Sequence, residues 1–121
     1  MDKLLWKPSE ERIKNTNMYR FMKLVNEKYG KNFTEYDALY QWSIENIPDF
    51  WASMWEFGEI KASKPYTQVV DDLTKMPGAK WFSGAELNFA ENLLRYRDDR
   101  VALIFKGEAQ ESTKMTYAGL Y

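Results

Sequence analysis

Aromatic side chains make up 17% of this 121-residue chain, as 5 Trp, 8 Tyr and 7 Phe. Each large ring can bury on the order of 150–250 Å² of surface, and a chain of this length has room for one domain. Two explanations fit this surplus of rings. Either a small core reaches sufficient burial through large side chains, or some rings pack against something outside these 121 residues. The two explanations are compatible, and the composition leaves both open.

The charges nearly cancel, with 17 basic and 18 acidic residues and a net charge of −1. A chain without a basic excess has no strong electrostatic attraction for nucleic acid or an anionic membrane, so neither is expected as a partner. The longest apolar run, Val101 to Phe105, is far too short to span a bilayer. The N-terminus lacks the apolar stretch of a signal peptide. A cytoplasmic location is therefore expected.

Cysteine and histidine are both absent. Their absence excludes disulfides, thiolate catalysis and Cys-type zinc sites, and it removes the commonest general base. The carboxylate doublet Asp71-Asp72 has no suitably spaced third acidic residue. A solvated turn is therefore favoured there over a magnesium site, which needs several converging oxygens. The sequence assigns no catalytic, cofactor-binding or metal-binding residue.

Apolar periodicity predicts three helices in the first half of the chain. The first begins near Asn15 to Asn17 and ends at Gly30, a residue typical of helix C-termini. The second opens on Thr34 with Asp37 as a capping-box variant and runs toward Asn46. The inward-facing stripe of the first helix consists of Met18, Phe21, Met22, Val25 and Tyr29.

The third helix is predicted to start at Pro48, because proline suits the first turn of a helix, and to end at Gly58. Its bulky residues Phe50, Trp51, Met54 and Trp55 are expected to face inward. So many rings on a short helix indicate either the centre of the core or a docking surface. Residues 59–80 lose periodicity and are predicted to be an irregular connector with an extended piece between Tyr66 and Val70.

Residues 81–94, WFSGAELNFAENLL, carry the signature of a helix beginning at Ser83. Ser83 and Glu86 form a Ser-x-x-Glu capping box, and Phe82 with Leu87 form a hydrophobic staple. The apolar residues of this helix cover about half of its circumference, wider than the stripe of a surface helix. We therefore expect a helix between two packing partners.

Asn88 and Asn92 are four residues apart, on the opposite arc of the predicted helix. They are either simply exposed or hydrogen-bond the backbone of a neighbouring loop and fix its position. Nothing in the stretch resembles a phosphate-binding loop. The candidates for packing between domains are Trp81, Phe82, Asn88, Phe89, Asn92 and Leu93.

The last 24 residues predict a β-hairpin and the first turn of a helix. Asp98-Asp99 is a turn, Val101 to Phe105 a strand and Thr113 to Tyr117 the returning strand, and Thr116 is a possible helix cap. Two strands are marginally stable alone, and one helical turn cannot support itself, so the chain looks truncated. The fold class is α+β: a mainly helical segment followed by a short hairpin that would join the sheet of a larger domain.

Three runs carry a resemblance to a known family: LLWKPSEERIKNTNMYRFM, YDALYQWSIENIPDFWASMWEFGEI and LNFAENLLRYRDDRVALIF. Together with KWFSGAELNFAENLL, they resemble the N-terminal region of acetyl-CoA-synthetase-like, AMP-forming acyl-CoA ligases, and favour the branch that activates acetoacetate. The resemblance covers essentially the whole chain but rests on packing segments. It implies a helical N-terminal domain over residues 1–97, with residues 98–121 as the first strands and a truncated helix of the AMP-binding (adenylating) domain.

The resemblance further implies that the parent enzyme converts acetoacetate, ATP and CoA to acetoacetyl-CoA, AMP and pyrophosphate, with Mg²⁺. The family's nucleotide-binding and catalytic motifs match no position here. The fragment is thus expected to be non-catalytic and to support the adenylating domain in cis, with self-association possible through exposed apolar surface. The alternative is a stand-alone interaction module that binds another protein through its aromatic helices.

Overall fold

A computed structural model describes residues 5–121. The first four residues, which belong to the predicted 1–97 region and to the first quoted run, lie outside the described part. Within residues 5–121 the chain forms six helices and two antiparallel strand pairs, so the α+β prediction is confirmed. The elements are α1 (Glu10–Lys14), α2 (Asn17–Tyr29), α3 (Tyr36–Glu45), α4 (Ile47–Phe57), β1 (Gln68–Val70), β2 (Trp81–Ser83), α5 (Phe89–Leu93), β3 (Val101–Phe105), β4 (Thr113–Thr116) and α6 (Tyr117–Leu120).

The described residues divide into two compact units. Unit 1 comprises residues 5–60 and 68–83, and unit 2 comprises residues 61–67 and 84–121. The chain therefore enters unit 2 briefly at residues 61–67, returns to unit 1 for β1 and β2, and enters unit 2 again after Ser83.

The first predicted helix is confirmed as α2. Its N-cap is Thr16, whose hydroxyl accepts a hydrogen bond from the Tyr19 N–H at 3.2 Å. Gly30 ends it with φ of +61°, a conformation that costs glycine little and other residues more. Phe21, Met22 and Val25 of the predicted stripe are buried. Met18, at the start of the stripe, is exposed.

Helices α3 and α4 complete the core of unit 1. The buried residues Leu39 and Trp42 of α3 pack with the α2 stripe, and Phe50, Met54 and Phe57 of α4 pack against this cluster at its edge. The rings of Phe50 and Phe57 meet Phe21 edge to face, with centroids 5.8 and 5.3 Å apart. The predicted burial is therefore correct for Phe50 and Met54.

Three details of these helices differ from prediction. Helix α3 begins at Tyr36 with Glu35 as N-cap and no side-chain cap bond, so the proposed Thr34 capping box is wrong. Helix α4 begins at Ile47, one residue before Pro48. Trp51 is exposed rather than inward-facing, and its ring meets Trp81 of β2 and Phe50 of its own helix.

The predicted helix start at Ser83 is wrong. Trp81 to Ser83 form β2, which pairs antiparallel with β1 in the register Gln68↔Ser83 and Val70↔Trp81. Glu86 is also used in an extended pairing, as a β-bridge to Lys64. The backbone groups of Ser83 and Glu86 therefore pair with Gln68 and Lys64, which are distant in sequence, and do not form the capping box. Gly84 makes the turn between the two pairings with φ of +85°, and the helix begins only at Phe89.

Unit 2 contains the hairpin predicted at the end of the chain. Strand β3 pairs antiparallel with β4, with an irregularity between Val101 and Leu103. Helix α6 follows β4, and its N-cap Thr116 accepts a hydrogen bond from the Gly119 N–H at 3.1 Å. The hairpin and the Thr116 cap are confirmed.

Candidate functional site

Trp81 and Phe82 lie in β2 of unit 1 and face helix α4. The Trp81 ring meets Trp51 edge to face at 5.9 Å between centroids, and the Phe82 ring lies 4.7 Å from that of Trp55. Phe82 has φ of +48°, an uncommon conformation for a residue other than glycine. Both residues thus join β2 to α4, while 42% of the Trp81 side chain remains exposed.

An apolar patch surrounds the exposed side of Trp81. Ile44, Leu73 and Met76 are also exposed there and line an open groove together with Trp51 and Trp81. Exposed apolar residues that lie singly on a surface are common, but a contiguous patch is typical of an interaction surface.

Asn88 and Asn92 have different roles in helix α5 of unit 2. Asn88 is the N-cap, and its side-chain oxygen accepts a hydrogen bond from the Glu91 N–H at 3.2 Å. The Asn92 side chain accepts from the Lys61 N–H and donates to the Lys61 carbonyl, each at 2.8 Å. Of the two alternatives left open for these asparagines, simple exposure or a hydrogen bond to the backbone of a neighbouring loop, Asn92 makes the hydrogen bond.

Phe89 and Leu93 lie exposed on α5, with 76% and 63% of their surface accessible. Leu87 and Tyr96, which flank this five-residue helix, are exposed as well. The wide apolar arc predicted for a longer helix is therefore only partly present, because α5 contains Phe89, Ala90 and Leu93 but neither Leu87 nor Tyr96.

Strand β3 is apolar and accessible on both faces. Successive strand residues point to opposite sides of a sheet, and the consecutive residues Leu103, Ile104 and Phe105 are all exposed, Ile104 by 68%. Strands that are apolar on both faces are typical of sheets covered on both sides. In the described part of the chain, only β4 pairs with β3.

Asp71 and Asp72 organise the loop between β1 and β2. Asp71 Oδ1 accepts hydrogen bonds from the backbone N–H groups of Asp72 and Lys80, and its other oxygen pairs with Lys75 Nζ at 2.8 Å. The bond from Lys75, aided by that from Lys80, lowers the pKa of Asp71 to about 2. Asp72 accepts from both the hydroxyl and the N–H of Thr74, which lowers its pKa as well.

The doublet is therefore a turn with satisfied carboxylates, as predicted. Among residues 5–121 no three acidic side chains come together in a group that could hold a metal ion. In the same range, no helix is long and apolar enough to cross a membrane.

The six candidates are distributed between the two units. Trp81 and Phe82 belong to unit 1, whereas Asn88, Phe89, Asn92 and Leu93 are brought together on α5 of unit 2. No local motif indicated that Lys61 would be the partner of Asn92, since the two residues lie 31 positions apart. It also missed Ser53, which is fully buried within α4, because a serine in an aromatic run carries no burial signal.

Comparison with known proteins shows which proteins this chain is similar to. Residues 36–93 match the family described as the acetyl-coenzyme A synthetase N-terminus. Over nearly its whole length, the chain is similar to acetoacetyl-CoA synthetases. The enzyme of that name from Danio rerio is 45% identical over 121 residues, which cover 98% of this chain and 18% of the relative.

A solved structure gives the same result at the level of the fold. The acetoacetyl-CoA synthetase from Streptomyces lividans matches 97% of this chain with a TM-score of 0.86 and 36% identity, and the match covers 19% of that protein. A malonamoyl-CoA synthetase from Penicillium aethiopicum is also 36% identical, over 98% of this chain and 17% of its own length. The chain thus spans less than a fifth of the length of these relatives.

Proposed function

We propose that this chain is the N-terminal part of an AMP-forming ligase that converts acetoacetate, ATP and CoA to acetoacetyl-CoA, AMP and pyrophosphate in the cytoplasm. Acetoacetyl-CoA synthetases from two different organisms match nearly the whole chain. We propose acetoacetate as the acyl group because of the 45% identity to the Danio rerio enzyme, and the malonamoyl-CoA synthetase matches at the same 36% as the Streptomyces lividans acetoacetyl-CoA synthetase. ATP, Mg²⁺ and CoA would bind residues of the parent enzyme outside this chain.

Within that enzyme, the chain would have a structural role. The observation that carries this proposal is strand β3, which is apolar and accessible on both faces. Such a strand gains most stability when further strands extend its sheet and helices cover both sides. We assign residues 98–121 to the adenylating domain and residues 1–97 to the helical domain that supports it.

The interdomain contacts would involve the six candidate residues. Phe89 and Leu93 of α5 and the exposed ring of Trp81 would be covered by the rest of the adenylating domain in cis. Asn88 and Asn92 would keep α5 in the conformation that presents Phe89 and Leu93. Phe82 would contribute indirectly, because its ring packs against Trp55 and so holds β2, which carries Trp81, against α4.

One observation favours the alternative of a protein-interaction module. An open groove of about 480 Å³ lies beside the core of unit 1. Its exposed edge carries Met18 and the stacked rings of Tyr36 and Tyr40, whose centroids are 6.1 Å apart. A hydrophobic groove can bind the apolar face of a helix from another protein.

The reading frame of the gene separates the two functions. Sequencing the transcript beyond the Tyr121 codon should reveal a Gly/Ser/Thr-rich segment followed by Pro-Lys, the phosphate-binding loop expected of the ligase. A stop codon directly after Tyr121 would contradict the ligase proposal and support the interaction module.

A further inference from the structure

Asn92 binds both backbone groups of a single residue in another segment. Its Oδ1 accepts from the Lys61 N–H and its Nδ2 donates to the Lys61 carbonyl, both at 2.8 Å. Nδ2 also donates to the Asn88 carbonyl at 3.0 Å, within α5. The two bonds to Lys61 reproduce the exchange of N–H and C=O that joins paired residues in an antiparallel ladder. Among side chains, only the carboxamides of Asn and Gln offer a donor and an acceptor in this arrangement.

The segment that Asn92 binds has a second attachment two residues later. The Ser63 N–H donates to the Glu86 carbonyl at 2.8 Å, and the Glu86 N–H donates to the Lys64 carbonyl at 3.1 Å. Lys64 Nζ also pairs with the Glu86 carboxylate at 3.1 Å, although this pair is exposed and thus contributes little. Residues 61–64 are therefore held in unit 2 at two points, even though the chain belongs to unit 1 on both sides of residues 61–67.

We propose that Asn92 is the positioning residue that keeps residues 61–64 in unit 2. Without its side chain, both backbone groups of Lys61 lose these partners, and the segment keeps its hydrogen bonds to Glu86. Aspartate cannot replace it, because a carboxylate accepts but does not donate and would face the Lys61 carbonyl. The inference concerns only the conformation of this chain and does not depend on the proposed ligase activity.

Unit 1 contains a matched example that serves as a control. Asn26 of α2 accepts from the Phe33 N–H and donates to the Phe33 carbonyl, each at 2.9 Å. It holds the loop after α2 in the same way that Asn92 holds residues 61–64. A substitution at Asn26 therefore removes the same kind of interaction from the other unit.

Amide hydrogen exchange of the 121-residue chain tests the proposal, with variants Asn92→Ala and Asn92→Asp compared with Asn26→Ala. Loss of a net hydrogen bond or two accelerates exchange of the protected amides about tenfold. In both Asn92 variants we expect this acceleration at Lys61, Ser63 and Lys64, with the amides of α2 unchanged. Asn26→Ala should produce the reverse pattern, with faster exchange at Phe33 and unchanged rates at residues 61–64.

Unchanged exchange at Lys61, Ser63 and Lys64 in the Asn92 variants would overturn the proposal. Equal acceleration in α2 and in residues 61–64 would also overturn it, because Asn92 would then stabilise the whole chain rather than this segment. Circular dichroism shows whether each variant is folded. If Asn92→Ala is unfolded, the comparison rests on Asn92→Asp, which has nearly the same shape but replaces the donor with a charged acceptor.

Discussion

Ser53 is fully buried in α4, although it stands among large aromatic residues. Its hydroxyl donates to the Asp49 carbonyl at 2.8 Å and lies 3.2 Å from the Tyr29 hydroxyl, which donates to the same carbonyl at 3.1 Å. A small side chain at this position lets α2 and α4 approach closely, and the shared carbonyl ties Tyr29 of one helix to the backbone of the other.

Replacement of Ser53 tests this packing. Ser53→Ala should lower the free energy of unfolding by about 1 kcal/mol, because one hydrogen bond is lost and no polar group is left without a partner. Ser53→Leu should cost more, about 1–3 kcal/mol, since the added carbons have no space. Urea denaturation of the 121-residue chain measures both values.

Ser43→Ala is the control for Ser53→Ala. The Ser43 hydroxyl also donates to a carbonyl within its own helix, at 2.7 Å from the Tyr40 oxygen, but the bond is exposed. Its removal should change the free energy of unfolding by less than about 0.5 kcal/mol. If Ser53→Leu also changed the free energy of unfolding by less than about 0.5 kcal/mol, α2 and α4 would not approach closely at Ser53.

At the scale of secondary structure, local signals predicted the elements that depend on local contacts. Helix α2, with its Thr16 cap and Gly30 stop, and the β3–β4 hairpin follow from periodicity and turn residues. The stretch from Ser83 to Glu86 did not follow its equally strong capping signature. Its backbone pairs instead with Gln68 and Lys64, and such distant partners cannot be read from a single sequence.

The candidate site shows the same limit. The sequence left two alternatives for Asn88 and Asn92: simple exposure, or a hydrogen bond to the backbone of a loop. The structure shows that hydrogen bond for Asn92. The sequence could not identify Lys61 as the partner, because residues 61–64 carry no motif. It also placed the exposed Trp51 ring in the core, since periodicity does not show how far around a helix the core extends.

Phe89→Ala tests the exposed face of α5. In the 121-residue chain, this substitution should change the free energy of unfolding by less than about 0.5 kcal/mol, because most of the ring is already in solvent. In the complete ligase, where we propose that the ring is covered, the same change should cost a few kcal/mol.

Leu39→Ala provides the matched control. Leu39 is only 3% exposed in the core of unit 1. Its replacement by alanine should lower the free energy of unfolding by about 2–5 kcal/mol in both proteins. A small effect of Phe89→Ala in the complete ligase would contradict the proposed interdomain contact. A large effect in the 121-residue chain would contradict the exposure of α5.

The loop between β1 and β2 should respond to acid through Asp71. Because folding lowers the pKa of Asp71 from 3.8 to about 2, its stabilising contribution is complete above about pH 5 and is lost as the pH falls through about 2. Carboxyl NMR titration should give a midpoint near 2 for Asp71, and Lys75→Met should move that midpoint upward. A midpoint near 3.8 in the wild-type chain would show that the Lys75 and Lys80 contacts do not form in solution.

On the scale of the whole molecule, the described residues form two compact units that leave many large apolar side chains accessible. The exposed residues include those of β3 and α5 in unit 2 and the patch around Trp81 in unit 1. A chain with this surface should bind a hydrophobic dye and associate with itself at high concentration. Fluorescence and sedimentation velocity measure the two properties, and a monomer that binds no dye would contradict the exposure of these residues.

We propose that this chain supports the adenylating domain of a longer ligase, and we expect residues 1–121 alone to have no adenylating activity. Acetoacetate-dependent exchange of pyrophosphate into ATP, measured with the purified 121-residue chain, tests this claim most directly, with a full-length acetoacetyl-CoA synthetase as the positive control. We expect no exchange above the rate without protein. Exchange that depends on acetoacetate and on the concentration of the chain would show that residues 1–121 contain an active site, and would contradict the claim.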